Sequence, residues 1–296
     1  MMRHFYYTIQ TLLHERGVNI IKIISMTLGI FVGILLFSCV AFQLSYYNFC
    51  PQSEQLYVTY MDGPFTYSPF SAAMRENFPK EVEDATILRD MGTNVFYNGN
   101  VRLTESTIYA DEHLFSTLGL KLLIGKAEEL TRPDVLFISR SLAEKMGGIE
   151  KVEGLTIIPD ENPGLEVTIG GVFEDLPQNA SLRYDMLVAM SGMDPESLNN
   201  WLGNDRYAGY VRLSPGVTPD SLTPAIHDMT LRHHDQEALR KSGYELTYTL
   251  RPLLDLHSKA GEVKNMVMML GILAFALLFT AIMNYILITI SSIVNR

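Results

Sequence analysis

The stretch from Met266 to Val294 constrains this chain most. Between Met266 and Met283 it carries a single polar side chain, Thr280, and no charge, which meets the composition test for a membrane-spanning helix. Continuing through Asn284, Thr289 and Ser291, the run covers about 28 residues, or about 42 Å of helix at 1.5 Å per residue. A bilayer core is only about 30 Å thick. The helix must therefore tilt, or leave the lipid at one end and run on into whatever is packed above it. Because the sequence stops at Arg296 just beyond it, the chain is expected to be the N-terminal portion of a longer protein.

A second apolar block, Ile23 to Leu44, has no charge and only Ser25, Thr27, Ser38 and Gln43 as polar residues, so it too can span. Within it Ser25, Gly29 and Gly33 recur at intervals of four and make one smooth face where another helix can approach closely, most economically the closing helix. Asn284 is the residue of the spans whose polarity demands a partner, because an unpaired amide in lipid costs several kcal/mol. It either bonds across to a neighbouring helix or lies at the cytoplasmic interface. Ser25, Gly29, Gly33 and Asn284 are thus the candidate site residues, and their expected role is helix packing.

Charge divides as sharply as hydropathy. Residues 51–264 hold 19 Lys and Arg against 32 Asp and Glu. Outside that stretch Arg3, Arg16, Lys22 and Arg296 face only Glu15. Three of these basic residues precede the first span and none occurs from Ser45 to Met74 after it, so the positive-inside rule places both termini in the cytoplasm and the middle of the chain outside. The acidity of that middle argues against a nucleic-acid partner. Leu36-Phe37-Ser38-Cys39 has a faint likeness to a lipoprotein cleavage box, but the apolar run continues past Cys39 and is matched by a second span. Cys50 is read as an unpaired structural thiol, with pairing to another chain as the alternative.

In chain order, residues 2–16 suit a short interfacial helix ended by Gly17, and Asn19 could cap the span that follows. Tyr46, Tyr47 and Phe49 stand where an interfacial aromatic belt is expected. Gln55–Tyr60, Ser71–Phe78 and Ala85–Arg89 read as strand, helix, strand. A second such unit comprises Tyr207–Leu213, a helix from about Pro219 to Arg240, and Tyr244–Leu250. Between them short strands dominate, at Asn94–Tyr97, Val101–Leu103, Thr107–Tyr109, Val135–Ile138, Leu155–Ile158, Leu165–Phe173 and Asp185–Ala189, with small helices near Glu112–Thr117 and Ser139–Lys145. Repeated strand-helix-strand units build a ferredoxin-like layer, here with a β-rich insert carried between them.

Chemistry is harder to find. Gly119 to Ala127 resembles a phosphate-binding loop until the spacing is counted: five residues separate the glycines instead of four, and Ala127 stands where the Mg²⁺-binding hydroxyl must be. The stretch reads as a structural turn. His233-His234-Asp235 hints at metal, but adjacent helical residues diverge, and a solvated helix end is the reading favoured. No nucleophile, base and orienter can be assembled from local spacing. No catalytic residue, metal site or cofactor is therefore expected.

Several segments, taken together and in order, carry a resemblance. They are Tyr7 to Gly17 followed by Asn19 to Lys22 and Leu28-Gly29; Leu44 to Phe49 through Glu54 to Tyr57; Ile138-Ser139-Arg140-Ser141-Leu142-Ala143; Gly170 to Pro177; Pro252 to His257; and Ala281-Ile282-Met283-Asn284-Tyr285. On these the chain resembles the MacB/FtsX-type ABC transporter permeases, in the longer form common among Bacteroidetes. It departs at Cys50, where the family more often has a polar or aromatic residue, and Lys and Arg are scarcer in the opening helix.

The resemblance implies a non-catalytic, multi-pass inner-membrane protein of α+β class, with two transmembrane helices flanking a periplasmic domain. Residues 1–19 would form a cytoplasmic interfacial helix, 20–45 the first span, 46–263 the periplasmic core, and 264–296 the second span and the start of an FtsX-like permease domain. Within the core, 50–90 and 200–258 would form the porter-like layer and about 91–199 the inserted subdomain. Implied partners are an ABC ATPase subunit, membrane lipid, a second permease copy or the second half of the full-length chain, and a periplasmic membrane-fusion protein. The implied function is coupling of ATP hydrolysis in the separate ATPase to conformational change of the periplasmic domain, for export or mechanotransmission. Two other readings share the topology: a two-span sensor with an extracytoplasmic ligand domain, and an FtsX-like regulator of cell-wall hydrolases.

Overall fold

The computed structural model describes residues 16–294 apart from 62, 182, 203–205 and 244–246. Residues 2–15 of the expected opening helix lie outside what is described. Asn19, expected to cap the first span, instead lies within a helix already running from Arg16. Two compact units result: the long helices, up to Ser45 and from Ser258 on, and the body from Tyr46 to His257.

The first long helix runs Arg16–Leu44 and the second Gly261–Val294. Both are long and apolar enough to cross a bilayer, over Ile23–Leu44 and Gly261–Leu287. Gly17, expected to end a preceding helix, instead lies inside the first one. A lone glycine costs a helix only about 1 kcal/mol, which the long apolar run after it outweighs.

The body is built on ten strands, β1 (Leu56–Tyr60), β2 (Val82–Asn98), β3 (Val101–Ala110), β4 (Leu122–Ile124), β5 (Val135–Ser139), β6 (Thr156–Pro159), β7 (Val167–Phe173), β8 (Met186–Ala189), β9 (Ala208–Leu213) and β10 (Thr249–Pro252). They join one sheet in the order β10-β1-β9-β2-β3-β8-β5-β7-β4, with β6 bridging β2 and β7. The first four are all antiparallel neighbours, and β9 lies between β1 and β2. With helix Phe70–Asn77 after β1 and helix Pro219–Leu231 after β9, this is the split β-α-β arrangement of a ferredoxin-like layer. Its helices close over a core of Phe70, Met74, Val82, Val211, Ile226 and Tyr248.

The remaining strands form the β-rich insert. Two of its pairs, β3 with β8 and β5 with β7, are parallel. Helices Arg140–Lys145 and Ile149–Val152 cover a separate core of Leu136, Ile138, Leu142, Val152, Ile169 and Met186. Ser139 starts the first of these helices by accepting a hydrogen bond from the Leu142 amide at 3.2 Å. A larger core containing Leu56, Leu88, Ile108, Leu114, Phe115, Phe137 and Phe173 serves the layer and the insert together.

Several sequence-level boundaries change. Ala85–Arg89 and Asn94–Tyr97 are one strand of 17 residues, not two. The register slips between Asp90 and Thr93 without ending the strand, because Gly92 adopts φ +68° and its amide bonds to Asp90 Oδ1 at 2.8 Å. Val101–Leu103 and Thr107–Tyr109 likewise merge into β3. The helix expected from Pro219 to Arg240 is broken after Leu231, and a new one, Gln236–Ser242, begins where Asp235 accepts from the Glu237 and Ala238 amides. The stretch Gly119–Ala127 holds a short edge strand, β4, between left-handed glycines at 119 and 125.

Candidate functional site

Close packing sets the geometry of the helix pair. A Cβ on Gly29 would collide with Ala281 Cβ, and one on Gly33 would stand 2.8 Å from Leu278 Cδ2. One turn before Gly29, Ser25 Oγ accepts a hydrogen bond from Asn284 Nδ2 at 2.6 Å. The helix interval of four therefore brings Ser25, Gly29 and Gly33 onto the face that meets Leu278, Ala281 and Asn284. Elsewhere the pair is apolar and outward-facing: Ile24, Leu28, Phe31, Ile34, Ile272, Phe275 and Phe279 are all exposed. An open groove of about 520 Å³ runs beside the contact, lined by Ile21, Ile24, Leu28, Val32, Leu277 and Thr280 among others. Thr280 does not reach across it, since its hydroxyl donates to Ala276 O in its own helix at 2.8 Å.

Within the body, the expected aromatic belt is a correction. Tyr47 is buried in the main core, in a left-handed conformation that turns its ring inward, and its amide donates to Asn179 O at 3.2 Å. Tyr46 stacks on His257 with centroids 3.5 Å apart. These rings close the body where its chain enters and leaves. Cys50 is a free, buried thiol in the same cluster, and burial pushes its pKa up to about 11. Cys39, also free, is exposed on the first span.

His234, expected at a solvated helix end, is a second correction, whereas His233 is exposed. His233 stacks on Trp201 at 4.2 Å, and His234 is buried, edge-on to Trp201 and near Tyr67. Neither ring nitrogen of His234 has a hydrogen-bond partner among the described residues. Burial, followed by the neighbouring His233, depresses its pKa. The aromatic partners come from distant loops, which local helical spacing does not reveal.

A polar cluster that no sequence motif announced lies where β2 passes the insert's first helix, Leu114–Leu118. His113 Nδ1 sits 2.8 Å from Asp84 Oδ1, and Ser116 Oγ donates to Asp84 Oδ2. Thr86 Oγ1 donates to Asp111 Oδ1. Arg75, from helix Phe70–Asn77, donates to Ala85 O and lies 3.8 Å from Asp111 Oδ2. From β9, Arg212 donates to Ser116 O at 2.6 Å and stands 2.9 Å from Glu83. Burial raises the Asp111 pKa to about 6, against the opposing influence of Thr86 and Arg75. Burial would raise Asp84 as well, but the hydrogen bonds from His113 and Ser116 and the charge of His113 outweigh it and leave Asp84 lowered. The bond to Asp84 raises His113. The alternation of Asp84 and Thr86 along a strand, with Asp111-Glu112-His113 just before a short helix, was the available signal.

Among the described residues, no three or more His, Cys, Asp and Glu side chains are grouped so that they could hold a metal ion.

The model of the family described as MacB-like periplasmic core domain matches residues 20–229. No curated protein matches the chain. Among solved structures, the chain is similar to a domain of a candidate permease protein from Porphyromonas gingivalis, with 38% identity and TM-score 0.62 over 69% of this chain and 92% of that one. The periplasmic region of MacB from Actinobacillus actinomycetemcomitans shares 14% identity with TM-score 0.49, over 71% of this chain and 94% of that one. The extracellular domain of the noncanonic ABC-type transporter YknZ from Gram-positive bacteria shares 11% with TM-score 0.43, over 66% and 99%. With the family model spanning well over half of the sequence, the chain belongs to the MacB-like periplasmic core domain family and is an ABC-transporter permease of the MacB/FtsX type.

Proposed function

We propose that this permease converts ATP hydrolysis in a separate ATPase subunit into movement of the body Tyr46–His257, for export or for mechanical signalling across the envelope. The observation that carries the reading is the family match together with two helices long enough to leave the lipid at one end. At 34 residues the closing helix would span about 51 Å, against about 30 Å of hydrocarbon. A stiff element of that excess length suits transmission of force out of the membrane. The sequence supplies no phosphate-binding loop, so the nucleotide chemistry is assigned to the partner.

The same reading puts both termini in the cytoplasm and residues 46–263 in the periplasm of an inner membrane, on the basic residues Arg3, Arg16 and Lys22 ahead of the first span. Lipid surrounds the outward apolar faces of the spans. A second permease copy or a second half of the full-length chain, and a periplasmic membrane-fusion protein, complete the proposed assembly.

The function is tested by adding full-length permease in lipid vesicles to its purified cognate ATPase. Hydrolysis should rise well above that of the ATPase alone, and equal rates would overturn the coupling. Placement is tested separately by labelling Glu161→Cys, an exposed position, in intact spheroplasts with a membrane-impermeant maleimide. The site should react from outside; protection until lysis would reverse the topology.

A further inference from the structure

We propose that Arg75, Asp84, Asp111, His113 and Ser116 form a proton-operated latch between the ferredoxin-like layer and the inserted subdomain, drawn tight in mildly acidic surroundings and slackened around and above neutrality. The inference does not depend on the coupling to an ATPase.

Placement carries the argument. Asp84 and Thr86 belong to the part of β2 paired with β9, inside the layer. Asp111 and His113 lie on the connection from β3 into helix Leu114–Leu118, and Ser116 lies on that helix. Every side-chain link described above between these groups therefore joins layer to insert: His113 and Ser116 to Asp84, Thr86 and Arg75 to Asp111. The other charges facing the cluster are Glu83 on β2, Arg212 on β9 and Glu112, which is 3.6 Å from His113 Nε2.

The groups titrate in a consistent direction. His113 is raised by its bond to Asp84, so its contribution is full below the unfolded value near 6.5 and is lost as pH rises through the folded value. Asp111, raised by burial to about 6, binds a proton in the folded state that the unfolded chain releases, so its contribution also falls as pH climbs through that region. When Asp111 ionises it adds a negative charge near Glu112, and the burial that disfavours this charge outweighs the hydrogen bond from Thr86, Arg75 at 3.8 Å and the charge of His113, the last of which fades as His113 itself loses its proton. Asp84 acts in the opposite sense. Its lowered pKa keeps it charged at a lower pH than an ordinary aspartate, and its contribution is lost only as pH falls through that lowered value, which bounds the window on the acid side. The apolar packing of Leu114, Phe115 and Leu118 persists throughout, so deprotonation loosens the joint without unfolding it.

Hydrogen exchange of the full chain in detergent micelles tests this, comparing amides 114–120 at pH 5.5 and 7.5 after correction for intrinsic chemistry. In the wild type these amides should be about fivefold better protected at pH 5.5. Asp111→Asn should remove most of the difference, leaving protection high at both values, and His113→Gln should reduce it. Equal wild-type protection at the two pH values, or a full difference retained in Asp111→Asn, overturns the latch. If Asp111→Asn does not fold, His113→Gln decides, and retention of the full wild-type difference there overturns it as well.

Discussion

The body from Tyr46 to His257 and the pair of long helices follow opposite packing rules. In the body the large side chains point inward: Phe70, Phe137, Phe173 and Tyr207 are fully buried. In the helix pair they point outward, and the contact is made by the smallest groups available, with Gly29 against Ala281 and Gly33 against Leu278. Water explains the first arrangement, because burying apolar surface is its main driving force. Lipid explains the second. Where the solvent is already apolar, only close approach and an occasional hydrogen bond such as Asn284 to Ser25 distinguish a helix partner from an acyl chain.

The comparison is broken most directly by the same substitution in both regions. Phe137→Ala, at a fully buried position against Phe115, should cost about 3–5 kcal/mol, read as a lowered midpoint in thermal unfolding. Phe275→Ala, at a side chain 69% exposed on the closing helix, should leave the midpoint nearly unchanged. Equal losses would mean that the spans are packed like a water-soluble core.

Glycine offers the next test. Gly29→Leu forces a side chain into Ala281 and should weaken helix association by about 1–3 kcal/mol, as overpacking does. Gly271→Leu, on the closing helix with nothing within 4 Å, should do little. Cross-linking yield between cysteines placed on the two spans reports both.

How far these features can be read from sequence varies with how local their causes are. The ferredoxin-like layer was legible because β1, helix Phe70–Asn77 and β2, and later β9 and helix Pro219–Leu231, each carry their own punctuation, such as Pro79 and Pro219. The joining of two expected strands into β2 was not, since Met91-Gly92 looks like a break until Asp90 is seen to hold the Gly92 amide. At the spans, the interval of four residues marks the face with Ser25, Gly29 and Gly33, but rotation of the closing helix, and so the choice of Ala281 and Leu278 as neighbours, follows only from three dimensions. Burial of His234 and assembly of the Asp84–Asp111 cluster depend on loops and strands far apart in the chain. No spacing rule predicts either.

Smaller effects sharpen the contrast. Asn284→Leu should cost about 0.6–1.7 kcal/mol of helix association, and Ser25→Ala about the same, with the double variant no worse than either alone. Additive losses would show that the two side chains act independently. Smallest is a pH effect in the body. The depressed pKa of His234 means that the unfolded chain takes up a proton there before the folded one does, so stability should fall as pH drops below about 6.5. Replacing His234 with Leu should flatten that part of the profile in thermal unfolding between pH 7.5 and 5.5.

The central claim is that nucleotide chemistry below the membrane moves the body outside it. Spin labels at Val101, exposed at the start of β3, and at Leu28, exposed on the first span, report that movement in full-length permease carrying Cys39→Ser and bound to its ATPase. Pulsed dipolar spectroscopy should give one distance distribution without nucleotide and a displaced one with ATP trapped by vanadate. Superimposable distributions in the two states, with hydrolysis by the same sample verified, would contradict the account.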